Sequence, residues 1–208
     1  MMRRVGGDSL KYLKVVGEWA LVIGLAIGLS LLLRNFVMDV RVVPTGSMIP
    51  TIQEQDRVIV DRLFYRMGAL RRGDVIVFTA PDKPELRDFS RQDLVKRLIG
   101  LPGETVEVNG GYVWVDGQAL NEPYVNAGVT AGKYGPVQVP EGYCFVLGDN
   151  RGGSNDSRIW GCLEQRLIIG RVWIRHWPLD SLGPLTKPPD DYMIESAALG
   201  LCERWRPF

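Results

Sequence analysis

From Trp19 to Leu33 the chain carries no charged residue, and Val15 to Gly17 extend the apolar run back across one interruption at Glu18. At about 1.5 Å rise per residue, the 19 positions from Val15 to Leu33 make a helix close to the roughly 30 Å hydrocarbon thickness of a bilayer. A segment apolar on every face belongs either in a protein interior or in lipid. Arg3, Arg4, Lys11 and Lys14 precede it, the arrangement expected of a span whose N-terminus stays cytoplasmic. The run ends Leu31-Leu-Leu-Arg-Asn-Phe36, without the small-x-small site of a cleaved signal. We therefore expect residues 1–14 to be cytoplasmic and 15–34 to form a single-pass anchor, with Glu18 at the headgroups. Everything after Arg34 then has to fold on the far side of the membrane.

The remainder of the chain is long enough for one sizeable core, since the 208 residues are 46% hydrophobic. Net charge is +1, from 25 basic against 24 acidic residues, which gives no reason to expect nucleic acid as a partner. Cys144, Cys162 and Cys202 are odd in number and far apart, so they read as free thiols rather than a zinc or redox motif. His176 is the only histidine. A zinc site would have to draw most of its ligands from carboxylates, and no metal or cofactor is expected.

Val40–Val43, Arg57–Val60, Asp74–Phe78 and Asp93–Ile99 read as strands. Thr105–Val108 and Tyr112–Val115 flank Asn109-Gly-Gly111 as a hairpin, and Asp116-Gly117 turns the chain again. Ala80–Gln92 is a polar loop whose charges should face solvent, and Asn121–Pro140, rich in Gly and Pro, reads as irregular. Gly142–Leu147 and Ile168–Ile174 are the last clear strands. The reading is mainly β, an antiparallel sheet domain with a small inserted region, behind one helix. The stretch from Lys187 onward is assigned no role.

The chemistry centres on Val42-Val-Pro-Thr-Gly-Ser-Met-Ile-Pro-Thr-Ile52. Pro44 and Pro50 fix φ and push the residues before them into extended geometry, while Gly46 permits a sharp turn. Ser47 is thus lifted out of a strand, with Met48 and Ile49 either at the membrane interface or in the core. A serine nucleophile needs a base, and His176, at a strand end, offers no more than a lone histidine. Past the anchor the lysines are Lys83, Lys96, Lys133 and Lys187. Lys83, Lys133 and Lys187 sit in polar or Pro-flanked loops and should stay protonated. Lys96 lies inside Asp93-Leu-Val-Lys-Arg-Leu-Ile-Gly100, with Leu94 and Leu98 on its own face. Two environments are open to it: a surface lysine snorkelling past leucines, or a buried amine depressed by roughly 3 pKa units. Arg97 cannot replace it, because a guanidinium does not deprotonate. Gly148-Asp-Asn-Arg-Gly-Gly-Ser-Asn-Asp-Ser-Arg158 is either a solvated turn or a supporting loop in which Ser154 orients the amine while Asp156 pairs with Arg158.

Pro44-Thr-Gly-Ser-Met-Ile-Pro50, Arg72-Gly-Asp-Val-Ile-Val-Phe78, Val95-Lys-Arg-Leu-Ile-Gly-Leu-Pro-Gly-Glu104 and Gly148–Arg158 come after the anchor in that order. Together they resemble the bacterial type I signal peptidases (leader peptidases), a family of Ser-Lys proteases, from the anchor to about Trp177. The resemblance implies Ser47 as nucleophile, Lys96 as general base, an oxyanion hole from the Ser47 N–H and Thr45 hydroxyl, and Ser154 beside Lys96. It implies a catalytic β core of residues 35–109 and 140–186, with 110–139 inserted and 187–208 a tail. It further implies signal-peptide-bearing preproteins as substrates, cut after small-x-small (Ala-x-Ala-like) sites at a bacterial cell membrane or an internal one, with no cofactor. Gly152-Gly153 stands where many relatives carry an acidic residue and an asparagine, which implies a looser loop around Ser154. Two alternatives stand beside this reading. One is a soluble LexA-type autoprotease, which the apolar run disfavours; the other is a membrane-tethered β-domain that binds extended peptides without cutting them.

Overall fold

The computed structural model describes residues 6–36, 38–63, 70–89, 92–125, 132–185 and 193–194. Helix α1 runs Gly6–Phe36, about 46 Å at helical rise, so it outlasts the charge-free run at both ends. Every side chain from Lys14 to Leu31 is exposed, and that stretch is long and apolar enough to cross a membrane. A core helix would be covered by the rest of the fold, and this one is not. One residue later the chain turns to strand β1, Met38–Val42, where alternate valines favour extended backbone.

The main sheet contains β1, β2 (Arg57–Asp61), β3 (Val75–Thr79), β4 (Asp93–Gly100), β9 (Tyr143–Leu147), β10 (Leu163–Glu164) and β11 (Ile168–Trp177). They pair antiparallel in the order β1-β2-β11-β3-β4-β9-β10, with β12 (Gly183–Pro184) added to β11. A second sheet takes β5 (Thr105–Asn109), β6 (Tyr112–Val115), β7 (Gln118–Leu120), β8 (Tyr134–Gln138) and β13 (Met193–Ile194), in the order β13-β7-β6-β5-β8. The fold is thus mainly antiparallel β.

Three expectations need correction. Asn121–Pro140 is not irregular throughout: its segment β8 pairs with β5, with Val137 opposite Val106. The loop at 80–92 carries a 3₁₀ turn, Pro84–Phe89, because Leu86 is pulled into the core while Asp82, Lys83, Glu85, Arg87 and Asp88 stay exposed. The loop after β9 ends in a short helix α2, Ser157–Trp160, capped by the Asp156 carboxylate.

The core has three parts. One gathers Ile76, Phe78, Leu94, Leu98, Val146 and Trp160 on one face of the main sheet. A second brings Val58, Val60, Val77 and Val95 together with Met48 and Ile52 from the serine turn. The third joins the two sheets, packing Ile99, Phe145 and Leu147 against Val106, Val113 and Leu120. At that junction Gly100 is required by close approach, since a Cβ there would lie 2.5 Å from Val106 Cγ2. Each fully buried aliphatic side chain stabilises the fold by about 1.5–3 kcal/mol. With cores on both sides, β4 is buried from Leu94 to Gly100.

Candidate active site

The serine turn is built as the prolines dictate. Thr45 is extended at φ −127°, ψ 148°, Gly46–Met48 forms one 3₁₀ turn, and Ile49 before Pro50 is extended again at φ −63°, ψ 136°. Gly46 does not use left-handed backbone. Space is the constraint there, because a Cβ would meet Ile49 Cδ1 at 2.8 Å and Glu54 Oε1 at 3.0 Å. Met48 is fully buried and Ile49 half-buried, so Met48 anchors the turn in the core and does not face the membrane.

Lys96 occupies the centre of β4, paired opposite Ile76. It is 3% exposed and Ser47 is 7% exposed, which removes the snorkelling alternative. Nζ lies 2.7 Å from Ser47 Oγ and 3.1 Å from the Val95 carbonyl oxygen. Thr45 Oγ1 is 3.4 Å from Ser47 Oγ. Desolvation is the largest influence on the amine and pushes its pKa down to about 8, against the opposing pull of Asp156 and Asp149. At pH 7.5 an ordinary lysine is neutral about once in a thousand molecules; with a pKa near 8 the fraction is about a quarter. In the neutral amine the hydrogen bond reverses, and the serine hydroxyl donates.

The loop after β9 holds this pair from the other side. Asn150 donates from N to the Ser47 carbonyl oxygen at 3.1 Å and from Nδ2 to that of Gly46 at 3.0 Å. Gly148 lies so close that a Cβ would sit 2.4 Å from the Ser47 carbonyl oxygen and 2.2 Å from Ser154 Oγ. Asp156 accepts from Gly148 N at 3.0 Å and from Arg158 Nε at 2.8 Å and Nη2 at 2.9 Å. The bond expected from Ser154 to Lys96 is not made. The amine is turned to Ser47 and Val95, and Ser154 Oγ, packed against Gly148, is buried with no hydrogen-bond partner among the described residues. Gly152 and Gly153 form the exposed tip of this loop.

Sequence reading missed the buried pair beneath the turn. Arg97 donates to Asp149 from Nε at 2.8 Å and Nη2 at 2.6 Å, and Thr51 donates to the same carboxylate at 2.5 Å. Both charged side chains are at most 1% exposed. The available signal was an arginine in an interior strand, which needs an acidic partner. His176 is half-buried, and among the described residues its Nδ1 has no partner and no hydrogen bond joins it to Ser47. Lys83 and Lys133 are exposed, while Lys187 and Cys202 lie outside the described residues. Cys144 and Cys162 are free; burial pushes the Cys144 thiol up to about 12.

A serine hydroxyl against a buried, easily deprotonated amine, on an antiparallel β scaffold behind an apolar helix, defines the class: a serine peptidase. The chain belongs to the signal peptidase family, peptidase S26, whose model matches residues 16–177. It is 44% identical over 168 residues to signal peptidase I of Leptolyngbya laminosa, covering 80% of this chain and 82% of that one. It is 38% identical over 186 residues to signal peptidase I S of Bacillus subtilis (strain 168), covering 84% and 96%. A crystal structure of a signal peptidase I from Enterococcus faecalis V583 aligns with a TM-score of 0.43 at 35% identity, over 50% of this chain and 97% of that one.

Proposed function

We propose that this chain is a membrane-bound endopeptidase that removes signal peptides from exported preproteins by Ser-Lys acyl transfer. The observation that carries the mechanism is the 2.7 Å contact between a buried lysine amine and a buried serine hydroxyl. Neutral Lys96 takes the proton of Ser47 Oγ as that oxygen attacks the scissile carbonyl carbon. The oxyanion that forms is stabilised by the Ser47 N–H and the Thr45 hydroxyl. Lys96 passes its proton to the leaving amine, which departs with the mature chain, and then takes a proton from the water that hydrolyses the acyl-enzyme. The substrate class follows from the family, with cleavage after small-x-small sites.

The helix sets the geometry of delivery. With the N-terminus cytoplasmic, the β domain lies on the extracytoplasmic side. Ser47 follows Arg34 by thirteen residues, so fully extended chain limits it to about 45 Å from that residue.

A pH series on the full chain in detergent micelles, with a preprotein bearing an Ala-x-Ala site, tests the base. The ratio kcat/KM should rise about tenfold per unit below pH 8 and level off above it. Ser47→Ala and Lys96→Ala should each abolish fragment production while the protein still folds. A profile flat from pH 6 to 10, or substantial turnover by Lys96→Ala, would overturn the assignment.

A further inference from the structure

Two buried arginines flank the serine turn, and one short segment of the second sheet's connections reaches both. Arg97 grips Asp149 through Nε and Nη2, and its Cζ lies 3.8 Å from the centroid of the Tyr124 ring. Arg151 donates from Nη1 and Nη2 to the two carboxylate oxygens of Glu122, at 2.8 and 2.7 Å. The Tyr124 hydroxyl donates to that same carboxylate at 2.8 Å, tying the two contacts together. None of this is a surface ion pair. The Arg151 side chain is fully buried and that of Glu122 is 9% exposed. Burial alone would push the guanidinium down, but the adjoining Glu122 carboxylate more than reverses this and holds it above its ordinary value.

The mechanical consequence runs through Arg151. Its Nε donates to the Gly148 carbonyl oxygen at 3.0 Å, and its own carbonyl accepts from Arg158 Nη2 at 2.8 Å. Gly148 is the residue pressed against the Ser47 carbonyl, and Asn150 bonds the Ser47 and Gly46 carbonyls. The chain from Glu122 to the reacting serine is therefore Glu122 carboxylate, Arg151 guanidinium, Gly148–Asn150 backbone, Ser47 backbone. Tyr124 meanwhile packs against the core shared by the two sheets, so the segment is itself held fast.

We propose that Glu122 and Tyr124 are positioning residues for catalysis. They form a latch through which the second sheet fixes the Gly148–Arg151 loop, and with it the Ser47 hydroxyl, in register with Lys96. The proposal rests on the Ser47–Lys96 reading above. Because Glu122 and Tyr124 would act through Arg151 and Arg97, their loss should lower kcat and leave KM nearly unchanged. Displacements of about 1 Å at a reacting atom can cost about a hundredfold in rate, so a tenfold to hundredfold loss is the expected scale.

The test uses the full chain in detergent micelles with the Ala-x-Ala preprotein. Glu122→Gln keeps the size of the side chain but removes the carboxylate charge that Arg151 grips; Tyr124→Leu removes the ring over Arg97. Both should lower kcat at least about tenfold with KM within about threefold. If Glu122 acts through Arg151, adding Glu122→Gln to Arg151→Gln should cause no further loss. Val113→Ala is the control: Val113 is fully buried in the same shared core but takes no part in the latch. It should lower the melting temperature without lowering kcat at temperatures well below the melt. Wild-type kcat in Glu122→Gln, or an equal kcat loss in Val113→Ala at matched melting temperature, would overturn the latch. Turnover by Ser47→Ala in the same assay would instead overturn the nucleophile assignment beneath it.

Discussion

Replacing Lys96 by Met should make the protein inactive and, near neutral pH, more stable. Methionine has nearly the same reach and carries no charge to desolvate. In the folded state the Lys96 pKa is about 8 against an ordinary value of 10.5, and at 1.36 kcal/mol per unit that difference amounts to about 3 kcal/mol. The sign follows from proton counting. Below pH 8 the amine is protonated in both states, so the full burial penalty opposes folding. Between pH 8 and 10.5 the unfolded chain holds the extra proton, and wild-type stability rises with pH until the penalty is gone. The substitution also takes from Ser47 Oγ its 2.7 Å partner, a loss of about 1 kcal/mol. The net gain at pH 7 is then about 2 kcal/mol, or about 4–8 °C in Tm for a chain of this size. Thermal melts of wild type and Lys96→Met in the same micelles at pH 6, 7, 8, 9 and 10 read this directly. The gain should be greatest at pH 6 and 7 and shrink steadily above pH 8. A variant less stable than wild type at pH 7, or a difference constant across the series, would refute the account of how Lys96 loses its charge.

Three further outcomes are expected from the same geometry. Thr45→Val should lower kcat by about 10²–10³, the cost of one oxyanion donor, while Thr45→Ser retains most of the rate; equal loss in both variants would remove the hydroxyl from that role. Gly148→Ala places a Cβ 2.4 Å from the Ser47 carbonyl oxygen, and backbone cannot yield as a side chain can. Its kcat should fall about a hundredfold in a protein whose circular dichroism is unchanged, and a wild-type rate would show that the turn tolerates displacement. Arg97→Gln removes a cation next to Lys96 in sequence and frees Asp149, which already pulls the Lys96 pKa upward. The midpoint of the pH–rate profile should therefore move above pH 8, and an unmoved or lowered midpoint would contradict this coupling.

Much of the fold was legible because its signals are local. The apolar run, the β-branched strands and the Asn-Gly-Gly hairpin each declare themselves within a dozen residues. Strand β8 did not, because Tyr134-Gly-Pro-Val-Gln138 has no alternation and becomes a strand only where β5 offers it a partner. The prolines foretold the turn at Ser47, whereas the leucines beside Lys96 left its burial open, and the roles expected of both residues came from the resemblance. The sequence left open which side of β4 would be covered. In the structure both sides are, and that alone turns an amphipathic lysine into a buried one. The Arg97–Asp149 and Arg151–Glu122 pairs were hidden for another reason. Their partners lie 52 and 29 residues apart, and only the curling of two sheets over one loop brings them within reach.

The adjacent residues Lys96 and Arg97 meet the same difficulty in opposite ways. Each brings a cation into an interior strand, and a buried cation must be matched or discharged. Arg97 cannot discharge, so it is matched, taking both oxygens of Asp149. Lys96 can discharge, and among the described residues its hydrogen-bond partners are a hydroxyl and a carbonyl. Had Asp149 bonded the lysine instead, its charge would have held the amine's pKa higher and cut the neutral fraction available to the proposed base. Asp156, the other carboxylate that pulls on the amine, is likewise engaged, by Arg158 and the Gly148 N–H. The arginines thus bear on the amine through the carboxylates they hold. Both carboxylates that pull on the amine are engaged in this way, and desolvation remains the largest influence on its pKa.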